Sequence, residues 1–253
     1  MKYFATLGVI WLFTVWLPVT SHAATATKAL PCMPYVGEQF SFDVGWEFIN
    51  AGSATMNISA KNQGWQVKTF ARTNKVLDVF KKVRDTITAE GLCVNGQMQS
   101  TVFDADLKER KYSAKKYVRF LWKKNQVSYT QHKNTELFDV PAGHLSVIDA
   151  FLAVRKLDLT PGQTLNIPVF DSRKRYEVIV NVMDKKKRLK TPWGEEVDCI
   201  VIKPKLKTEG IFASKGEMTI WMTDDKRHIP IKMRAKIKFG RVFAHLTGYS
   251  SQK

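Results

Sequence analysis

A strict alternation of apolar and polar residues near the end of the chain constrains the fold most. From Ile229 to Phe239 every second residue is apolar. The residues that alternate with them include the cations Lys232, Arg234, Lys236 and Lys238. This period of two is that of a β-strand with one buried face, and no helical period fits it. A shift of one residue would bury the cations, so the pattern also specifies the strand register.

Most of the chain shows the same kind of pattern. Apolar residues alternate on either side of this strand, from Met218 to Met222 and from Val242 to Leu246, and turn residues separate the three segments. Short strand-like runs bounded by turn signals also fill the region from Glu38 onward. We therefore expect a mainly β protein whose strands form an antiparallel curved sheet or an incomplete β-barrel.

One segment predicts a helix. Ser146-Val147-Ile148-Asp149 has the capping-box pattern, in which a hydroxyl binds the first free amides and a carboxylate reaches back. The residues that follow are apolar nearly all round as far as Leu157, which is typical of a buried helix. The segment from Lys75 to Arg84 is ambiguous, because Val76, Val79, Phe80 and Val83 have helical spacing while Val83 to Ala89 fits a strand.

The first 23 residues predict a secretory signal peptide. Lys2 precedes an apolar run that ends at Pro18, and small residues follow up to Ala23. After cleavage before Ala24, residues 24–253 are expected to form a single β-rich domain. This part of the sequence holds no apolar stretch long enough to span a membrane. We expect the protein in the periplasm of a Gram-negative bacterium.

The chain is strongly basic, with a formal net charge of +17. An exported basic protein meets anionic partners such as lipid headgroups, lipopolysaccharide or acidic glycans, whereas nucleic acid is not expected in that compartment. Four like charges on one strand face repel one another unless an anionic ligand or acidic neighbours lie across them. Arg155, in an otherwise apolar helix, needs a carboxylate partner or a route to solvent; we include it among the ligand-binding candidates.

The three cysteines suit an oxidising compartment. Cys199 lies within an apolar strand pattern, as expected for a small buried thiol. The preferred disulfide is therefore Cys32 with Cys93. The cysteine spacings match no metal site, and we expect no cofactor.

Candidates for catalysis are weak. Asp224, Asp225 and His228 lie close together in sequence and are suited to acid/base chemistry, but Asp residues are also typical of turns. The sequence contains no nucleophile elbow, phosphate loop or zinc-protease motif. Scattered carboxylates nevertheless suffice for some glycan-cleaving enzymes, so an enzyme stays an alternative.

Several segments resemble one exported bacterial family, domain of unknown function 3108. They are residues 38–56 with Gly45-Trp46, the helix from Asp149 to Arg155, the tetrapeptide Thr191-Pro192-Trp193-Gly194, and the signature from Ile220 to Pro230. The resemblance implies a periplasmic, barrel-like β protein and favours a strand over a helix between Lys75 and Arg84. It implies no particular activity.

These patterns favour a binding protein over an enzyme. We expect its interior or mouth to hold an apolar ligand such as an acyl chain, and its cations to bind anionic headgroups. The residues expected to bind are Lys232, Arg234, Lys236, Lys238 and Arg155. One alternative is a polysaccharide-acting enzyme that uses Asp224, Asp225, His228 or His245. Another is an assembly factor for envelope proteins that uses a sheet edge.

Overall fold

The computed structural model describes residues 32–79, 82–110, 112–207, 217–237 and 240–252. The predicted signal peptide and Lys238 lie outside these residues. The strands and α-helices are, in order, β1 (Glu38–Trp46), β2 (Ile49–Lys61), β3 (Gly64–Thr73), α1 (Lys75–Asp78), β4 (Arg84–Val94), β5 (Gln97–Glu109), β6 (Tyr112–Leu121), β7 (Gln126–Gln131), β8 (Asn134–Asp139), α2 (Val147–Lys156), β9 (Thr164–Asp171), β10 (Lys174–Val182), β11 (Lys187–Lys190), β12 (Glu196–Lys207), β13 (Met218–Thr223), β14 (Pro230–Ile237) and β15 (Gly240–Ser251).

All the strands belong to one antiparallel sheet. Strands β1 to β8 form a meander in chain order, β15 pairs with the other side of β1, and β14, β13, β12, β10 and β9 follow. The short strand β11 pairs with β12 beside β10. The expected antiparallel, barrel-like sheet is confirmed, and it is not closed by a strand pair between β8 and β9.

The two edges of the sheet lie close to each other. The rings of Phe138 on β8 and Phe170 on β9 have centroids 5.5 Å apart. Leu145, just before α2, makes a parallel bridge to Val169 on β9, with backbone hydrogen bonds to Pro168 and Phe170. The chain between β8 and α2 therefore covers the edge of β9.

Helix α2 fills the space that the sheet surrounds. Strand β12 is buried on both faces: Ile200 and Ile202 lie in one apolar cluster with Ala150 and Val154 of the helix, while Cys199 and Val201 lie in the other. The helix thus covers one of the two apolar faces that the β12 sequence presents. No helix among the described residues is long and apolar enough to cross a membrane.

Polar groups fix the start of α2. Ser146 caps the helix by accepting a hydrogen bond from the Asp149 amide, as predicted. The second hydrogen bond of a capping box, from the Ser146 amide to the Asp149 carboxylate, does not form, because this amide donates to the Ser100 hydroxyl instead. The buried Asp149 carboxylate accepts from Ser100, Ser146 and the Trp65 indole. Burial raises the pKa of Asp149, although these three donors oppose the shift.

The ambiguous segment contains both structures. Lys75–Asp78 form one helical turn, which Asn74 caps, and the strand begins only at Arg84. The strand implied by the family resemblance is therefore wrong for the first half of this segment. The helix is favoured there because the Asn74 side chain accepts from the Leu77 amide and Asp78 pairs with Arg84.

The predicted disulfide between Cys32 and Cys93 is present, and Cys199 is a buried free thiol. Burial, with the neighbouring charges of Asp198 and Asp224, raises the pKa of Cys199 to about 11. A thiol with such a high pKa stays protonated at neutral pH and is a poor nucleophile.

Candidate functional site

Three of the four predicted cations, Lys232, Arg234 and Lys236, lie on β14, on the face of the sheet that is opposite the apolar interior. Lys232 is directly opposite Trp221 on β13 and His245 on β15. Arg234 is opposite Thr219 and Phe243. The cross-strand neighbours of both cations are therefore aromatic, hydroxyl or imidazole groups. Among the described residues, no acidic side chain stands directly opposite Lys232 or Arg234; the nearest acidic positions in the sheet are Glu217, just before β13, and Asp43, opposite His245.

The two cations lie over aromatic rings. The Lys232 ammonium is 5.7 Å from the ring centroid of Trp221 and 5.4 Å from that of Phe243. The Arg234 guanidinium is 5.6 Å from the Trp221 ring and donates to the Thr219 hydroxyl at 3.5 Å. We call these four residues, Trp221, Lys232, Arg234 and Phe243, the cationic strip. Cation–π contacts hold the cations in place but leave their net charge unneutralised.

The surroundings of the cationic strip are unfavourable to positive charge. Burial, and then the charges of Lys187 and Arg234, lower the pKa of Lys232 below its ordinary value. Burial and the charge of Lys232 likewise lower the pKa of His245, against an opposing effect of Asp43. An anion bound here would relieve this repulsion.

A depression of about 300 Å³ adjoins the cationic strip between the β1–β2 turn and β15. Its lining consists of residues 43–45, 47–50, 243 and 245. Phe243 belongs to both the strip and the depression, while Phe48 and Ile49 add apolar surface on the turn. Two carboxylates also line the depression: Glu47 is ion-paired with Arg241, and Asp43 lies opposite His245. The depression thus sets the apolar side chains of the turn next to the cationic strip.

The rest of the predicted row contributes less. Lys236 is exposed and lies opposite Arg241, and its backbone amide donates to the Glu217 carbonyl. Lys238 lies outside the described residues. The structure therefore brings Lys232 and Arg234 together with aromatic rings and does not do the same for Lys236.

Arg155 lies elsewhere, fully buried inside the sheet. It forms an ion pair with Glu38 on β1 at 2.8 Å and donates to the backbone carbonyls of Arg227 and His228. The Tyr35 ring lies 3.9 Å from the guanidinium carbon, and Tyr249 donates to Glu38. The sequence-based expectation of a carboxylate partner is met, and this partner leaves Arg155 without access to an external ligand. We call these groups the Arg155 network.

The candidate catalytic side chains contact structural partners. Asp225 accepts from Thr223 and Arg227, while Asp224 forms an ion pair with Lys186. Burial alone would raise the pKa of Asp225, but hydrogen bonds from Arg227 and Thr223 outweigh it and lower the pKa.

His228 is buried, and its Nδ1 lies 2.6 Å from the Arg155 carbonyl. Its side chain therefore faces the Arg155 network and not the two aspartates. Among the described residues, no group of three or more His, Cys, Asp or Glu side chains is arranged to hold a metal ion.

Sequence reasoning missed the aromatic half of the site. Trp221 and Phe243 each stand at a polar position of an alternating strand, which is the one local signal that they face outward with the cations. The depression gives no sequence signal, because it depends on how the β1–β2 turn lies against β15.

Comparison with known proteins gives the family and the fold. A crystal structure of a β-barrel-like protein of domain of unknown function DUF1849 from Brucella abortus superposes with a TM-score of 0.62 at 8% identity, covering 86% of this chain and 98% of that one. A protein with a YmcC-like fold from Bacteroides fragilis NCTC 9343 gives a TM-score of 0.33 at 11% identity, over 85% of this chain and 96% of that one.

The likeness to the Brucella abortus protein supports the barrel-like fold alone, because the identity is so low. Among curated proteins, nothing matches the chain. The family model described as "Protein of unknown function (DUF3108)" matches residues 41–247, which include every strand of the sheet at least in part. The chain therefore belongs to the DUF3108 family.

Proposed function

We propose that this protein is an exported, non-catalytic binding protein of the bacterial envelope whose ligand is an anionic amphiphile, such as a lipid or a lipopolysaccharide-like molecule. The observation that carries the proposal is the cationic strip. Lys232 and Arg234 have aromatic rings where a structural ion pair would have carboxylates. A headgroup phosphate is an anion that matches two neighbouring cations.

The depression supports an amphiphile over a simple anion. Phe48 is 95% exposed and Ile49 is 50% exposed, and both line the depression beside Phe243. Apolar surface of this kind is favourable to bury, at about 25 cal/mol per Å². The acyl part of the ligand lies against these side chains at the mouth, since α2 occupies the interior.

The proposed location rests on two features. Residues 1–23 have the composition of a signal peptide, and the Cys32–Cys93 disulfide is typical of an oxidising compartment such as the periplasm. We propose that residues 24–253 act as one exported domain.

The test is a titration of the mature protein with myristoyl lysophosphatidylglycerol below its micelle concentration, followed by tryptophan fluorescence, with a Trp221→Phe variant to identify the part of the signal that comes from Trp221. Lysophosphatidylcholine of the same chain length and inorganic phosphate are the comparison ligands. We expect saturable binding of the anionic lipid, weaker binding of the zwitterionic one, and weaker binding still of phosphate. Losing charge-assisted contacts worth about 1.5–3 kcal/mol each, Lys232→Gln/Arg234→Gln should weaken binding roughly tenfold or more.

A matched control is available on β6. Lys115 and Arg119 are exposed cations on its outward face, flanking the aromatic Tyr117. Lys115→Gln/Arg119→Gln removes the same charge and should leave the affinity unchanged. Equal losses in both double variants would mean that net charge alone attracts the lipid, and the proposed site would be abandoned.

A further inference from the structure

Exposed apolar side chains are concentrated in three neighbouring turns at one end of the sheet. The turns are the β1–β2 turn, the β3–β4 connection that contains α1, and the end of β14 with the start of β15. Their exposed apolar residues are Trp46, Phe48, Ile49, Val76, Val79 and Ile237, with exposed fractions from 39% to 95%. We call this set the apolar tip. Contiguous exposed apolar surface of this kind marks an interaction site.

Polar contacts behind the apolar tip hold the three turns together. Glu47 of the β1–β2 turn accepts from the Arg241 amide at 2.7 Å, and its own amide donates to the Arg241 carbonyl. Asn74, the cap of α1, donates to the backbone carbonyls of Asn50 and Ala51. The apolar side chains therefore project from braced turns and do not fold back onto the protein.

The turns of the apolar tip carry more cations than free carboxylates, and one exposed carboxylate, Glu217, lies beside Lys236. Among the described residues of the three turns, the carboxylates are Glu47 and Asp78, and each is ion-paired with an arginine of the chain. Lys75, Lys82 and Lys236 are exposed nearby. Apolar side chains ringed by cations are the pattern of a surface that inserts into the interface of an anionic bilayer.

We propose that the apolar tip docks the protein onto an anionic lipid bilayer. The turns enter the headgroup region to a depth of about 5–10 Å, Trp46 lies at the level of the headgroups, and the lysines contact lipid phosphates. The docking surface goes beyond the binding of a single amphiphile, because its partner is a membrane; it shares Phe48 and Ile49 with the depression and adds Trp46, Val76, Val79 and Ile237. It also places the depression next to the lipids from which a ligand would come.

Co-sedimentation with vesicles of equal parts phosphatidylglycerol and phosphatidylcholine tests the docking. Val76 and Val79 belong to the apolar tip but do not line the depression. Val76→Ser/Val79→Ser removes two apolar side chains from the interface and should therefore weaken vesicle binding roughly tenfold or more. Leu137→Ser is the matched control, since Leu137 is 60% exposed on β8, away from the tip. Added salt should weaken binding as well.

Two tryptophans with nearly equal exposure report the orientation. Trp46 is 39% exposed at the tip, and Trp193 is 41% exposed and packs on Tyr249. Val242, which pairs with Trp46, lies about 23 Å along β15 from Tyr249 at roughly 3.3 Å per residue. Brominated lipid should therefore quench Trp46 and not Trp193, as Trp46→Phe and Trp193→Phe variants reveal.

The outcomes separate this inference from the proposed function. Val76→Ser/Val79→Ser should lose vesicle binding and keep lysophosphatidylglycerol binding, whereas Lys232→Gln/Arg234→Gln should lose the lysolipid and still dock. Undiminished vesicle binding in the valine variant, or quenching of Trp193 equal to that of Trp46, would overturn docking by the apolar tip.

Discussion

Arg155 and Lys232 are both cations held among aromatic rings, but the protein balances their charges in opposite ways. Arg155 has the Glu38 carboxylate at 2.8 Å, two backbone carbonyls and the Tyr35 ring, all within the chain. Lys232 lies over two rings, forms no ion pair among the described residues, and has its pKa lowered by burial and by the like charges of Lys187 and Arg234. A buried cation whose carboxylate partner belongs to the same chain, such as Arg155, is explained by its part in the fold. A cation without an ion-pair partner in the chain, such as Lys232, is a candidate for binding an anionic ligand.

The Arg155 network should show the larger effect on stability. Glu38→Leu leaves a fully buried guanidinium without its carboxylate, which should lower the free energy of unfolding by about 3–5 kcal/mol. Chemical denaturation followed by circular dichroism measures this loss. The exposed ion pair of Lys61 with Glu90 provides the control, and Glu90→Leu should cost about 1 kcal/mol or less.

The double variant Glu38→Leu/Arg155→Met tests the reason for that effect. Because it removes both charges together, it should be more stable than Glu38→Leu alone. If Glu38→Leu cost no more than Glu90→Leu, the Arg155 network would not be the stabilising element that its burial indicates.

The cationic strip should show the smaller effect and the opposite sign. Lys232→Gln removes a charge repelled by Lys187 and Arg234, so the free energy of unfolding should stay within about 0.5 kcal/mol of the parent value or rise slightly. The same denaturation experiment measures it. A loss comparable to that of Glu38→Leu would mean that Lys232 is a structural residue like Arg155.

Local pattern predicted the elements of this fold well. The alternation from Ile229 onward specified β14 and the side on which its cations lie, and Ser146 marked the start of α2. The disulfide followed from compartment chemistry together with the apolar setting of Cys199. Each of these inferences needs only neighbouring residues or the redox state of the compartment.

What the sequence did not reveal depends on residues that are distant in the chain. It predicted that Arg155 needs a carboxylate, but the partner Glu38 is 117 residues away on β1, which lies near α2 only in the folded protein. The contacts of Lys232 with Trp221 and Phe243 likewise depend on the registers of two strand pairs. Local propensity carries no information about such registers.

His245 offers a direct readout of anion binding at the cationic strip. Its pKa is lowered by burial and by Lys232, so protonating it is unfavourable while the cations are uncompensated. A bound anion next to Lys232 should raise this pKa. By linkage, the anionic lipid should then bind more tightly as the pH falls through the pKa range of His245.

The first experiment should be an NMR titration of the His245 imidazole with pH, in the free protein and with saturating myristoyl lysophosphatidylglycerol; a His245→Gln variant assigns the signal. We expect a higher pKa in the lipid complex, and no lipid-dependent change in Lys232→Gln/Arg234→Gln. An unchanged His245 pKa at saturating lipid would contradict anion binding at the cationic strip.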